Sequence, residues 1–153
     1  MDKVIISDTS CLIALSKIDK LDILRKLYQE VIITREVQNE FGDSLPAWII
    51  ISEVKNKKKQ IEIETRLDKG EASSIALALE ISNSTLIIDE VKGRKIAKSL
   101  NINIIGTIGV LILADKKGLV KDVMGIILKM VNKGFRLSDK LIDQLIDKYK
   151  KDN

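Results

Sequence analysis

The sequence predicts an α/β domain of three layers, α/β/α, with a central parallel sheet and a pair of extra helices at the C-terminal end. Three observations carry this prediction. Short apolar runs of strand length recur along the chain, the segments between them have helical periodicity, and the strands are apolar on both faces. A strand that is apolar throughout is buried from both sides, which is the condition of a parallel sheet covered by helices. The chain has 153 residues, 45% of them hydrophobic, enough for one core.

In order, Val4–Ser7 (VIIS) is a first strand. Ser10 is placed to cap a helix carrying Leu12, Ile13, Leu15 and Ile18, and Asp19 a second carrying Leu21, Leu24 and Leu27. Val31–Ile33 is a second strand. Thr34 then caps a helix that ends near Phe41, ahead of Gly42, and Leu45–Pro46 marks a turn. Trp48–Val54 reads as an edge or irregular strand, and Lys55–Lys59 (KNKKK) as a basic loop. Residues 70–82 form the clearest helix, with Ala72, Ile75, Ala76 and Leu79 in one stripe. A strand over 85–88, a helix over 92–100, a strand over 102–105 and a helix from Thr107 to about Lys117 follow. Two amphipathic helices, over 123–131 and 139–148, close the chain, with Gly134 ending one and Ser138 starting the other. The expected organisation is a domain over residues 1–118 and a helical extension over 119–153 packed on it.

Composition excludes several kinds of chemistry. Histidine is absent, which removes Ser–His–Asp and Cys–His catalysis and His-ligated zinc. The single cysteine, Cys11, allows neither an internal disulfide nor a thiolate zinc site, and reads as a small buried hydrophobe in a reducing compartment. No phosphate-binding GxxxxGK[ST] loop is present. No run approaches the roughly 18 apolar residues of a membrane span, and Val4–Ile6 is too short for a signal peptide, so the expected location is the cytoplasm. The net charge of +4 is compatible with a nucleic-acid partner without identifying one.

Enzymatic chemistry would therefore run on carboxylates, hydroxyls, lysines or arginines, and the carboxylates are the informative set. Sites in open α/β sheets form beyond the carboxyl ends of the strands. Asp8 directly follows the first strand, and Asp89 and Glu90 directly follow the strand over 85–88. Glu71 shares a helix face with Ile75, and Glu40 lies at the margin of the apolar stripe of its helix, with Glu36 one turn earlier. Each acid also has an ordinary reading: Asp8 as a helix cap, Glu71 as a first-turn acid favoured by the helix dipole, Glu40 as a solvated helix residue, Asp89 and Glu90 as loop acids. Converging, they would repel one another, and a divalent cation relieves that repulsion. An all-oxygen donor set suits Mg²⁺ or Mn²⁺ rather than zinc.

Five segments resemble the PIN domain family. Val4-Ile-Ile-Ser-Asp-Thr-Ser-Cys-Leu-Ile-Ala-Leu resembles its opening strand and first acid. Val31-Ile-Ile-Thr-Arg-Glu-Val-Gln-Asn-Glu-Phe resembles the strand and helix of the second. Gly70-Glu-Ala-Ser-Ser-Ile-Ala-Leu-Ala resembles the helix of the third, and Leu86-Ile-Ile-Asp-Glu-Val-Lys-Gly-Arg-Lys-Ile-Ala the strand and turn of the fourth. Ile104-Ile-Gly-Thr-Ile-Gly-Val-Leu resembles the last strand and its helix in a VapC-like prokaryotic branch that also carries a C-terminal helical extension. The resemblance implies that Asp8, Glu40, Glu71 and Asp89 are the catalytic acids, as metal ligands or holders of metal-bound water, with the fourth position open between Asp89 and Glu90. It implies that Thr9 or Ser10 bonds a ligand carboxylate or the phosphate; Arg94 and Lys95, which follow Asp89 within a turn or so of chain, are the best-placed cations for substrate. Arg35, the Lys55–Lys59 segment and Lys92 are further basic candidates. The implied function is Mg- or Mn-dependent hydrolysis of single-stranded RNA by the toxin of a toxin–antitoxin pair. The implied partners are RNA, an antitoxin protein and a second copy of the chain, the last through apolar surface on Leu21–Leu27 and the C-terminal helices. Aspartate is the commoner residue at the position of Glu71, which keeps open a catalytically silent PIN-like module that binds nucleic acid or protein. A receiver-like signalling domain also gathers acids at strand ends, but it needs an acidic pair near its first strand, and Asp2 precedes that strand instead.

Overall fold

Strands and helices alternate along the chain, and their apolar residues are divided between the two faces of one sheet. The computed structural model describes residues 3–150. In chain order the elements are β1 (Val4–Ser7), α1 (Thr9–Ser16), α2 (Asp22–Tyr28), β2 (Val31–Ile33), α3 (Arg35–Phe41), β3 (Ile49–Ile51), α4 (Lys57–Glu64) and α5 (Lys69–Glu80). Then come β4 (Ser84–Ile87), α6 (Val91–Ser99), β5 (Asn103–Ile105), α7 (Thr107–Lys116), α8 (Val123–Asn132) and α9 (Asp139–Lys150). The strands pair in parallel in the order β3-β2-β1-β4-β5. The predicted parallel sheet in a three-layer α/β/α fold is therefore present.

Strand residues alternate between the faces as the pleat requires. Ile5, Ile33 and Ile87 join one cluster with side chains of α1, α2, α7 and α8. Ile6, Leu86 and Ile88 join the other with α5 and α6. Val123, Ile126, Ile127 and Met130 of α8 and Leu145 of α9 are buried in the first cluster, so the C-terminal helices share a core with the sheet.

Sheet order is what creates the site. From β1 the chain first builds outward through β2 and β3, then returns through α4 and α5 to build β4 and β5 on the other side. The connections leaving β1 and β4 thus diverge, which opens a crevice above their carboxyl ends. Asp8 ends one of these strands and Asp89 lies just past the other.

Several boundaries differ from the sequence reading. Asp8, not Ser10, occupies the N-cap position of α1, and its side chain makes no capping bond. Asp19 lies in a turn at φ 57°, and α2 begins only at Asp22, where Arg25 donates to Asp22 over 2.7 Å. The basic segment is not all loop: Asn56 accepts from the Lys59 amide and caps α4, so Lys57–Lys59 form the first turn of a helix. That helix has no clean apolar stripe, since Gln60 and Ile63 are buried while Ile61 is exposed. In α5, Leu79 is 41% exposed rather than part of the buried stripe. Leu24 of the proposed dimer face is fully buried, and Leu21 and Leu27 pack partly against the core, so folding uses most of that apolar surface.

The contact between α3 and α5 sets one wall of the crevice. Thr34 caps α3 by accepting from the Val37 amide over 3.1 Å, and its hydroxyl shares a 2.8 Å hydrogen bond with Ser73 of α5. Both residues are fully buried. Thr34→Val keeps the side-chain shape but removes these bonds. It is expected to cost about 1–2 kcal/mol, read as a lower urea midpoint at unchanged slope.

Candidate active site

The starts of four helices at the carboxyl edge of the sheet bring five carboxylates together, and the last turn of a fifth helix adds a sixth. Asp8 precedes α1, Asp68 precedes α5 and Glu90 precedes α6. Glu71 lies in the first turn of α5, Asp89 faces the first residue of α7, and Glu40 reaches across from the last turn of α3.

Most of these oxygens are occupied. Thr9 Oγ1 donates to Glu40 Oε2 over 2.6 Å, and the Gly70 amide donates to Glu40 Oε1 over 3.0 Å. A Cβ on Gly70 would run into that carboxylate, so glycine here is required by close approach. Asp89 accepts from the Thr107 amide at 2.7 Å, from Thr107 Oγ1 at 2.6 Å and from Ser10 Oγ at 2.8 Å. Asp68 accepts from the Glu71 amide and Glu90 from the Gly93 amide, each at 2.8 Å.

Asp8 and Glu71 are the exceptions. Asp8 Oδ1 and Glu71 Oε2 are buried without a hydrogen-bond partner. Burial pushes the Asp8 carboxyl up to about 7, against the pull of a hydrogen bond from the Thr9 amide, and the charges of Asp68, Glu40 and Asp89 raise it further. Glu71 rises to about 8, through burial, then a side-chain hydrogen bond with Asp68, then the charges of Asp68, Asp8 and Glu90. Glu90 moves the other way, because the Gly93 amide stabilises its anion. Cys11 lies beneath the cleft, fully buried, its thiol pushed up by burial to about 12, which makes it inert packing.

The acids named from the sequence, Asp8, Glu40, Glu71, Asp89 and Glu90, thus face one cleft, while Glu36 does not join them. Glu36 is hydrogen-bonded to Gln60, which also bonds Glu64. Asp89 and Glu90 both contribute, Asp89 fastened to α7 and α1, Glu90 capping α6 beside Glu71. Thr9 and Ser10 bond carboxylates. Arg94 donates to the Ile88 carbonyl over 2.8 Å beside Gly106, and Lys95 is exposed. Arg35 pairs with Glu53 on the surface at 3.4 Å. Sequence reading missed Asp68 and the second role of Thr107. Asp68 had a signal in Asp68-Lys69-Gly70-Glu71, an acid at the cap position three residues before another acid. Thr107 had only its place at a helix start.

Among the described residues, no three acidic, histidine or cysteine side chains are arranged to hold a metal ion. The donor chemistry nevertheless fits a hard divalent cation: two buried carboxylate oxygens, one each from Asp8 and Glu71, lack partners in an all-oxygen cleft. Magnesium commonly takes one or two carboxylates and fills its other positions with water and substrate phosphate.

A three-layer α/β/α fold with an acidic cleft at its topological switch point is the architecture of a PIN-like domain. A family model for the PIN domain, DUF3368, matches residues 4–151, and the chain belongs to that family. PIN domains are commonly nucleases that use divalent metals. No curated protein and no solved structure matches the chain. Among the described residues, no helix is long and apolar enough to cross a membrane.

The raised Asp8 carboxyl makes a prediction for the metal-free protein. A carboxyl near 3.9 in the unfolded chain and about 7 in the fold favours folding fully below pH about 4, and that contribution is lost as pH rises through 7. Asp8→Asn has no such loss. Relative to wild type, its stability is expected to rise by about 2–4 kcal/mol between pH 4 and pH 8 in the presence of EDTA, followed by urea denaturation. Parallel pH profiles for the two proteins would refute this.

Proposed function

We propose that the chain is a divalent-metal-dependent endoribonuclease that hydrolyses single-stranded RNA, and that it serves as the toxin of a toxin–antitoxin pair. The observation that carries the enzymatic reading is the pair of unpartnered, buried oxygens on Asp8 and Glu71 at the switch point of a PIN domain. Asp8 and Glu71, with Asp89 and Glu90 beside them, would hold Mg²⁺ or Mn²⁺. When bound, such a cation neutralises phosphate charge and lowers the pKa of water, so that no histidine base is needed. Glu40 is locked by Thr9 and Gly70, and Asp89 by Ser10 and Thr107, so both acids are held before substrate arrives. Thr9 and Ser10 serve as positioning residues. Arg94, anchored on the Ile88 carbonyl, and exposed Lys95 supply positive charge near Asp89 for the RNA backbone.

Mn²⁺-dependent cleavage of labelled single-stranded RNA tests this reading. Wild type is expected to cut, and Asp8→Asn to lose at least a hundredfold in rate (on the order of 3 kcal/mol). A second reading, a PIN-like module that binds RNA or protein without cutting, is favoured by glutamate at position 71, where aspartate is the commoner residue in the family. RNA bound by wild type but left intact in Mn²⁺ would establish it.

The proposed partners are RNA, an antitoxin protein and a second copy of the chain. Leu128 and Ile146 on the C-terminal helices remain exposed and offer apolar surface for self-association. Sedimentation is expected to give twice the 17.1 kDa mass of the chain, and a single monomeric species at high concentration would refute the dimer.

A further inference from the structure

A cavity of about 620 Å³ opens beside the acids, between α1, the start of α6 and the connection from α8 to α9. Its lining carries both signs of charge. Ser10, Asp89 and Glu90 are part of it, so the cavity continues the acidic cleft. Lys17, Lys133 and Arg136 also line the cavity, and all three are exposed. Among the described residues none of them enters an ion pair. Between these charges the lining is apolar: Ile13 from α1, Met130 from α8, and Phe135, which is half-buried against the core.

We infer that this cavity is a substrate groove for the nucleotides flanking the scissile bond, and that the C-terminal helices supply its cations. The inference rests on the nuclease reading and extends it to a site beyond the acid cluster. A single-stranded nucleotide has an apolar base face and an anionic phosphate, and the groove offers an apolar floor with unpaired cations at its edge. The acid cluster repels a bare RNA backbone, so positive charge close by is needed to hold the strand across it. Lys133 and Arg136 bracket Phe135 in sequence and line the cavity with it, so one short connection carries both phosphate-binding charge and the aromatic contact for a base. Lys17 closes the groove from the end of α1. An apolar protein segment would leave the three cations without partners, whereas RNA satisfies both parts of the lining.

The test removes charge from exposed positions only. Wild type, Lys133→Ala/Arg136→Ala and a control of equal net charge, Lys98→Ala/Lys116→Ala, are titrated with a fluorescein-labelled single-stranded RNA of about ten nucleotides in Ca²⁺, over a range of salt. The groove variant is expected to bind at least tenfold more weakly than wild type and the control. The slope of log K against log salt should fall by about 1.4, from about 0.7 for each lost phosphate contact on a single strand. In Mn²⁺ its KM for cleavage should rise severalfold, with a smaller effect on kcat. Equal binding by wild type and the groove variant, or no binding by either, overturns the groove. Equal binding with an altered sedimentation coefficient gives the surface to a second protein chain, which also overturns it. Absence of cleavage by wild type counts against the nuclease reading alone, because the binding comparison still decides the groove.

Discussion

Like charges gathered away from water are the constraint around which this domain is arranged. Six carboxylates face one cleft, and among the described residues none of them pairs with Lys or Arg. Backbone amides at helix starts take up much of that charge. The first turns of α5 and α6 donate to Asp68 and Glu90, the first residue of α7 donates to Asp89, and Gly70 in α5 donates to Glu40. A parallel α/β topology makes this possible: α6 and α7 follow strands and begin at the carboxyl edge of the sheet, α5 leads back into β4 and so begins at the same edge, and each turns the positive end of its dipole toward the cleft. The deficit falls on Asp8 and Glu71, the two acids left with an unpartnered oxygen and a carboxyl held well above its ordinary range.

Close approach by small residues holds this arrangement together. Gly70, Ser73 and Ser74 line the start of α5, where α3 crosses, and a larger residue at Gly70 would displace the Glu40 carboxylate. Gly93 plays the matching part on α6, where a Cβ would meet Glu71 Oε2 at 2.9 Å and Ile88 Cδ1 at 2.8 Å. The second and third acids are therefore placed by the absence of side chains as much as by their own helices.

Strand period and helix caps made most of the fold legible. Val31–Ile33 was readable to the residue, and Thr34 with Gly42 bounded α3, because those signals are local. What escaped reading depended on tertiary contact. Nothing in the periodicity of Lys57–Glu64 marks a helix, because Gln60 is buried by its bonds to Glu36 and Glu64 rather than by hydrophobicity. Ser10 looked like a cap because a hydroxyl before an apolar run usually is one, yet its partner is Asp89, 79 residues away. The position of the acids at strand ends was visible. The distribution of partners among them was not, since it depends on which helix N-terminus each acid meets.

The C-terminal helices matter to the site through the core they share with the sheet. Their buried residues, from Val123 to Leu145, join the cluster that packs against Ile5, Ile33 and Ile87 beneath the sheet. The loop between them is thereby fixed relative to β1 and β4, the strands that carry Asp8 and Asp89. A flexible appendage bearing Lys133 and Arg136 would collapse onto the nearest carboxylates and quench them. Held by a shared core, the same cations line one cavity with Asp89 and Glu90 without pairing to them, which leaves the cations free for a ligand that carries an anion.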